Sequence, residues 1–207
     1  IRYVITEKGE SAWIAQRNGR TKDGNDVTDQ GIIKMFCMSC AEDKIKAIDD
    51  LHIVPIAVSY EWEPCDVLKT LELYESQFSK YTKKPGEDLN SILTGIVQEK
   101  GRVHFELCEP LSYAELSKFD GLTNNDYHKQ VARLIDRRIR AAYRLYPNNY
   151  IAYDLRYGTT KYKHCYTVAE KEAFLKRLQT LEQYDTCDID KLKDIFLGIY
   201  SNPVNNK

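Results

Sequence analysis

The sequence predicts an α/β fold, a mostly parallel sheet flanked by helices, with a helical C-terminal section. Three observations predict it. The segment from His52 to Tyr60 is a continuous apolar run containing Val54, Ile56 and Val58, the composition of a strand buried on both faces, as parallel sheets require. Short β-rich segments alternate with segments of helical spacing through the first half of the chain. From Asp126 onward, apolar residues recur at helical intervals almost to the end.

Taken in order, Arg2 to Ile5 has the β-branched and aromatic character of a strand. Glu7 to Glu10, with Gly9, reads as a turn, and Ser11 to Gln16 as a short buried strand. A polar loop follows, then Gly31 to Ala41, where Ile32, Ile33, Met35, Phe36 and Cys40 have the spacing of a buried helix. After the His52 to Tyr60 strand, Pro64 and Asp66 open a helix over Val67 to Phe78, and a second helical stretch covers Leu89 to Gln98. Gly101 leads into a half-exposed strand marked by Val103, Phe105 and Leu107 and ended by Pro110. Val131, Leu134, Ile135, Ile139, Ala142 and Leu145 form one apolar stripe of a helix that Pro147 stops. Two further helices are expected over Val168 to Tyr184 and Ile189 to Tyr200, and the tyrosine-rich stretch from Ala141 to Tyr157 reads as core and edge packing.

Composition narrows the function. The 207 residues carry 30 basic and 31 acidic side chains, a formal charge of −1, so the net field gives no reason to expect nucleic acid as a partner and any anion site must be local. Cys37, Cys40, Cys65, Cys108, Cys165 and Cys187 form no dense framework, and the Cys37/Cys40 pair has no second CxxC to complete a zinc site. They read as reduced thiols of a cytoplasmic protein, and no metal is expected. The strongest apolar run, Ile53 to Val58, is far short of the ~20 residues that span a bilayer, and no signal peptide is read from the sequence.

The loop after Gln16 holds Arg17, Arg20 and Lys22 around Asn18 and Gly19. In open α/β sheets ligands gather beyond the carboxyl ends of strands, which is where this loop would fall. Arginine's planar fork makes paired hydrogen bonds to phosphate, and glycine lets backbone approach an anion closely. The competing reading is a surface turn, because Lys22 to Asp26 is strong turn chemistry by itself. The carboxylates Glu61, Glu63 and Asp66, just past the apolar strand, are open to two readings as well: contact with substrate or with Arg20, or capping of the next helix.

Three blocks in this order, Gly19-Arg20 after an apolar segment, Val54-Pro55-Ile56 on a later strand and Glu109-Pro110-Leu111 ending another, resemble the second half of the glycerol-3-phosphate and 1-acylglycerol-3-phosphate acyltransferase family. The resemblance covers roughly residues 11 to 112. It departs from the family in two places. The family's Glu-Gly-Thr-Arg is not reproduced, since Asn18 stands near the Glu position and Gly19 directly precedes Arg20. Its catalytic His-x-x-x-x-Asp, in which the histidine is general base and the aspartate orients it, is absent: five places after His52, His104, His128 and His164 stand Ala57, Glu109, Arg133 and Ala169.

The resemblance implies transfer of a fatty acyl group from acyl-CoA or acyl-carrier protein to a hydroxyl of a glycerol-phosphate-type or lyso-lipid acceptor in phospholipid biosynthesis, with no cofactor beyond the acyl donor. Arg20 inherits the role of anchoring the acceptor's phosphate, with Gly19 beside it and Pro55 in the Val-Pro-Ile block. Arg17 and Lys22 join this substrate-binding set on charge and proximity alone, and no residue of the chain is assigned as catalytic. Residues 1–112 are then expected to be the C-terminal half of an acyltransferase-like domain, and 113–207 a helical section packed on it. The start at Ile1, on a strand-like segment, and the missing histidine block together suggest a C-terminal piece that is inactive alone. The alternative is a non-catalytic phosphate- or anion-binding module or pseudoenzyme. Arg133, Arg137, Arg140 and Arg144 recur at helical spacing and are either a peripheral contact with anionic lipid headgroups on the cytoplasmic membrane face or a solvated helix face.

Overall fold

The structure, a computed structural model, describes residues 1–17, 21–40 and 42–207. Its elements are α1 (Arg2–Thr6), α2 (Gln30–Cys37), α3 (Lys44–Asp49), β1 (Ile56–Tyr60), α4 (Asp66–Glu75), α5 (Glu87–Val97), β2 (Val103–Leu107), α6 (Tyr113–Ser117), α7 (Asn124–Ala142), α8 (Pro147–Tyr157), α9 (Val168–Gln179) and α10 (Ile189–Asn205). The α/β expectation, with its mostly parallel sheet, is overturned: among the described residues 56% are helix and 5% strand, and the sheet is a single antiparallel pair of β1 with β2.

The reasons lie in individual segments. The Arg2 to Ile5 stretch, expected as a strand, closes helical bonds from the Ile5 and Glu7 N–H groups to the carbonyls of Ile1 and Tyr3, pairs Arg2 with Asp50, and packs Ile5 on the nearby core. Four residues cannot by themselves separate a strand from one helical turn. Ser11 to Gln16 forms no regular element, and Trp13 is 74% exposed. Only the second half of the His52 to Tyr60 run is regular strand, and its burial alternates: Ala57 and Ser59 point inward while Ile56, Val58 and Tyr60 are half-buried. That is the pattern of a strand covered on one side, which antiparallel pairing tolerates and parallel pairing does not. The helix expected to run to Leu145 ends at Ala142, and Pro147, instead of stopping it, begins α8. Proline's fixed φ suits the first helical position, and the residue before it, Tyr146, is extended as that geometry demands.

The chain divides into two compact units, Ile1–Arg20 with Asp26–Ala57 and Phe105–Tyr143, and Thr21–Asn25 with Val58–His104 and Arg144–Lys207. In the first unit, α7 presents Val131, Leu134, Ile135 and Ile139 to Ile33 and Phe36 of α2, Ile45 and Ile48 of α3 and Leu116 of α6. Asp29 caps α2 by accepting from the Gly31 N–H at 2.7 Å, and Asp43 caps α3 through the N–H groups of Ile45 and Lys46. Within the apolar face of α7, the buried Asp136 accepts from the Thr28 N–H (2.8 Å) and hydroxyl (2.6 Å), tying the approach to α2 onto α7.

In the second unit, α4, α8 and α9 pack with α10 around Phe174, Leu192, Phe196 and Tyr200, and Trp62 stacks on Phe174 with ring centres 5.9 Å apart. The fully buried Tyr200 donates its hydroxyl to Asp66 at 2.9 Å, and Arg177 grips the same carboxylate at 2.5 and 3.1 Å. A buried carboxylate is tolerated here because both its oxygens are partnered and charge-compensated.

Candidate functional site

Two of the three sequence blocks meet in the first unit. The Cys108 N–H donates to the Pro55 carbonyl and the Leu111 N–H to the Ile53 carbonyl, both at 2.9 Å, so Val54-Pro55-Ile56 and Glu109-Pro110-Leu111 run side by side as antiparallel backbone. Prolines at both positions are compatible with these two hydrogen bonds, which use the carbonyls of Ile53 and Pro55 and the N–H groups of Cys108 and Leu111 and call on no proline nitrogen. Pro55 is buried and Val54 is 40% exposed. Arg138 on α7 fastens the second block, donating to the Glu109 carbonyl at 2.8 Å and to the Glu115 carboxylate at 2.7 Å. Hydrogen bonds from Ser112 and then Arg138 hold Glu115 below the usual carboxylate range despite partial burial. Burial, reinforced by Glu106, pushes the Cys108 thiol up, so that side chain packs rather than reacts.

Of the substrate-binding set, Arg20 and Gly19 lie outside the described residues. Arg17 is half-buried in the first unit, next to Gln16, whose carbonyl accepts from the Asp29 N–H at 2.8 Å. Lys22 belongs to the second unit. Its ammonium is paired with the largely buried Glu72 and sits 5.9 Å from the Tyr81 ring centre. A cation held by a carboxylate in this way contributes little field to a second anion. The acidic cluster is likewise committed: Glu61 to Arg102 at 2.8 Å, Glu63 to Lys69 at 3.0 Å, and Asp66 to Arg177 and Tyr200. Hydrogen bonding from Arg102 holds Glu61 below its ordinary range.

The arginine stripe does not stay on one helix. Arg133 and Arg137 are exposed on α7, Arg140 is half-buried with its guanidinium 3.4 Å from the Asp26 carbonyl, and Arg144 lies past the helix end in the second unit, 5.9 Å from the Tyr146 ring centre. Among the histidines, His128 is buried beside Tyr127, and burial together with Lys34 and Lys44 pushes it down. His104 and Glu109, the one pair with the right sequence spacing, fall in different units. Among the described residues no cluster of three or more histidine, cysteine, aspartate or glutamate side chains could hold a metal ion, and all six cysteines are free thiols. No described helix is long and apolar enough to cross a membrane.

Sequence reading missed Arg138, which fastens the Glu109 block, and missed the buried role of Asp136 on α7. Asp136 left a signal: it stands between Ile135 and Ile139 on the apolar face, where a carboxylate needs a partner. Comparison of the chain with protein-family models, with curated proteins and with solved structures finds no match.

Proposed function

We propose that this chain contributes the acceptor-binding part of an O-acyltransferase that moves a fatty acyl group from acyl-CoA or acyl-carrier protein to a hydroxyl of a glycerol-phosphate-type or lyso-lipid acceptor. The observation that supports this reading is the pairing of Val54-Pro55-Ile56 with Glu109-Pro110-Leu111: two blocks about fifty residues apart in sequence, singled out by the same resemblance, lie on adjacent backbone. In this reading Arg20 holds the acceptor's phosphate through its planar fork, with Gly19 before it in sequence, Arg17 adds positive charge, and Pro55 belongs to the same substrate-binding set. Lys22, which lies in the other unit and is already compensated by Glu72, is left out of this set. Positioning of acceptor against thioester supplies much of the rate, and the general base is assigned to no residue of this chain, which is therefore inactive alone.

A second reading, an anion-binding module without chemistry, is favoured by one specific observation, the absence of any His-x-x-x-x-Asp. Acyl transfer from labelled acyl-CoA to 1-acylglycerol-3-phosphate separates the two, measured for the whole polypeptide that carries this chain, for its Arg20→Ala variant and for the 207 residues alone. The acyltransferase reading expects activity in the first, a tenfold to hundredfold loss of kcat/KM in the second, the size of about 1.5–3 kcal/mol for a hydrogen bond to a charged group, and none in the third. An inactive whole polypeptide that still binds phosphate through Arg20 would establish the binding module instead.

A further inference from the structure

Helix α5 is built inside out. Ser91 and Gly95, one turn apart, form its inner face: Ser91 is buried and its carbonyl lies 3.6 Å from the Cys65 sulfur, and a Cβ on Gly95 would sit 3.8 Å from the same atom. The large apolar side chains point the other way. Leu89, Ile92, Leu93, Ile96 and Val97 are 62, 59, 52, 69 and 81% exposed, and they share one arc of the helix because they recur at three- and four-residue intervals. No other helix of the described residues runs along α5.

We infer that this face of α5 docks on an anionic lipid bilayer, lying in the headgroup region with its aliphatic side chains in the acyl boundary. Area argues against a second copy of the chain as the occupant. Five aliphatic side chains on three turns of helix present less than the about 800 Å² per partner that a stable protein interface buries, whereas an interfacial helix needs only one apolar face. Charge argues for an anionic surface. From Lys80 to Arg102 the chain carries five basic residues against three acidic ones, although its overall charge is −1. The exposed Lys80, Lys83 and Lys84 lie just before the helix and Lys100 and Arg102 just after it, so positive charge brackets the apolar arc at both ends. Glu87 and Asp88 occupy the first turn, where Asp88 is paired with Lys83 at 2.6 Å, and Lys84 and Arg102 pair with Glu75 and Glu61. That leaves Lys80 and Lys100, one at each end, as the bracketing cations not paired with a carboxylate among the described residues, and a cation near a bilayer adds about 1 kcal/mol of attraction to anionic headgroups. The inference deepens the lipid-acceptor reading by naming the surface that would meet the membrane, and rests on that reading for the choice of lipid. Its readout is binding, so the two can fail separately.

The test is co-sedimentation of the 207-residue chain with vesicles of phosphatidylglycerol and phosphatidylcholine, or phosphatidylcholine alone, at low salt and at 0.5 M. The expected result is partition onto the anionic vesicles, weakened by salt. Ile92→Asp/Ile96→Asp lowers that partition at least tenfold and leaves the melting temperature unchanged, since both side chains are already exposed. Lys80→Gln/Lys100→Gln weakens it less, and Arg133→Glu/Arg137→Glu on α7 leaves it intact. Equal partition by wild type and Ile92→Asp/Ile96→Asp would overturn the proposal, as would loss on Arg133→Glu/Arg137→Glu alone. A lipid-free dimer that Ile92→Asp/Ile96→Asp dissociates would reassign the face to a second copy.

Discussion

Helices α7 and α5 carry equally clear apolar arcs and put them to opposite use. On α7, Val131, Leu134, Ile135 and Ile139 are buried against α2 and their unit's core, and polar residues take the solvent. On α5, five aliphatic residues take the solvent while serine and glycine face inward. The difference teaches that an amphipathic pattern establishes that a face will be covered, and leaves open by what. For α7 the cover is on the same chain. For α5 no described helix supplies it, and the reading above assigns it to lipid.

The sharpest way to break this comparison is to truncate one isoleucine on each helix. Ile135→Ala removes a side chain 6% exposed in a packed core and is expected to cost about 2–5 kcal/mol, the transfer term plus the cavity it leaves. Ile96→Ala removes one that is 69% exposed and is expected to stay within about 0.5 kcal/mol. Urea unfolding followed by circular dichroism reads both. Similar losses at the two positions would mean that α5 packs its apolar face in solution and that the contrast is void.

A smaller effect comes from the carboxylates. Asp136 on α7 receives two hydrogen bonds from Thr28 in the core, and Asp136→Ala is expected to cost about 1.5–3 kcal/mol, because it leaves the Thr28 N–H and hydroxyl buried and unmet. Asp88 on α5 is paired with Lys83 at the surface, where both side chains are more than half exposed, and Asp88→Ala is expected to cost at most about 1 kcal/mol, falling further in 0.5 M salt. Adding Thr28→Val to the Asp136 variant recovers part of its loss, since the orphaned hydroxyl is removed as well.

Much of the helical content was legible in the sequence: α2, α4, α5, α7, α9 and α10 fall close to where periodicity and turn residues place them. The short helices α3 and α6 were not, because five or six residues hold less than two turns of periodic signal. The sheet was misjudged for a specific reason. A parallel α/β core needs several continuous strands, and only Ile56–Tyr60 and Val103–Leu107 find partners, while the segments at Arg2 and Ser11 do not. For the site, the Pro55 and Glu109 blocks were visible as motifs, but their pairing was not, since register between distant segments leaves no trace in either one. Lys22 looked available in sequence and is compensated by a glutamate fifty positions away, Glu72.

The smallest expected effect concerns the tyrosine of α7. Tyr127 is fully buried and donates to the Lys44 carbonyl at 3.2 Å, so Tyr127→Phe is expected to cost about 1 kcal/mol at pH 7, the net value of one hydrogen bond. Its pH dependence is the more diagnostic quantity. Burial, with Cys37, Asp43, Asp120 and Asp49 adding to it, pushes Tyr127 well above the ordinary value near 10. The folded state therefore keeps this phenol neutral where the unfolded state ionises it. Stability from the neutral group is complete below pH ~10 and is lost as pH rises beyond it. The phenylalanine variant has no such group to lose, so the gap between wild type and Tyr127→Phe narrows between pH 9 and pH 11 in urea titrations. A gap that stays constant over that interval would show that Tyr127 ionises as readily folded as unfolded, and that the α7 face is wetter than its packing implies.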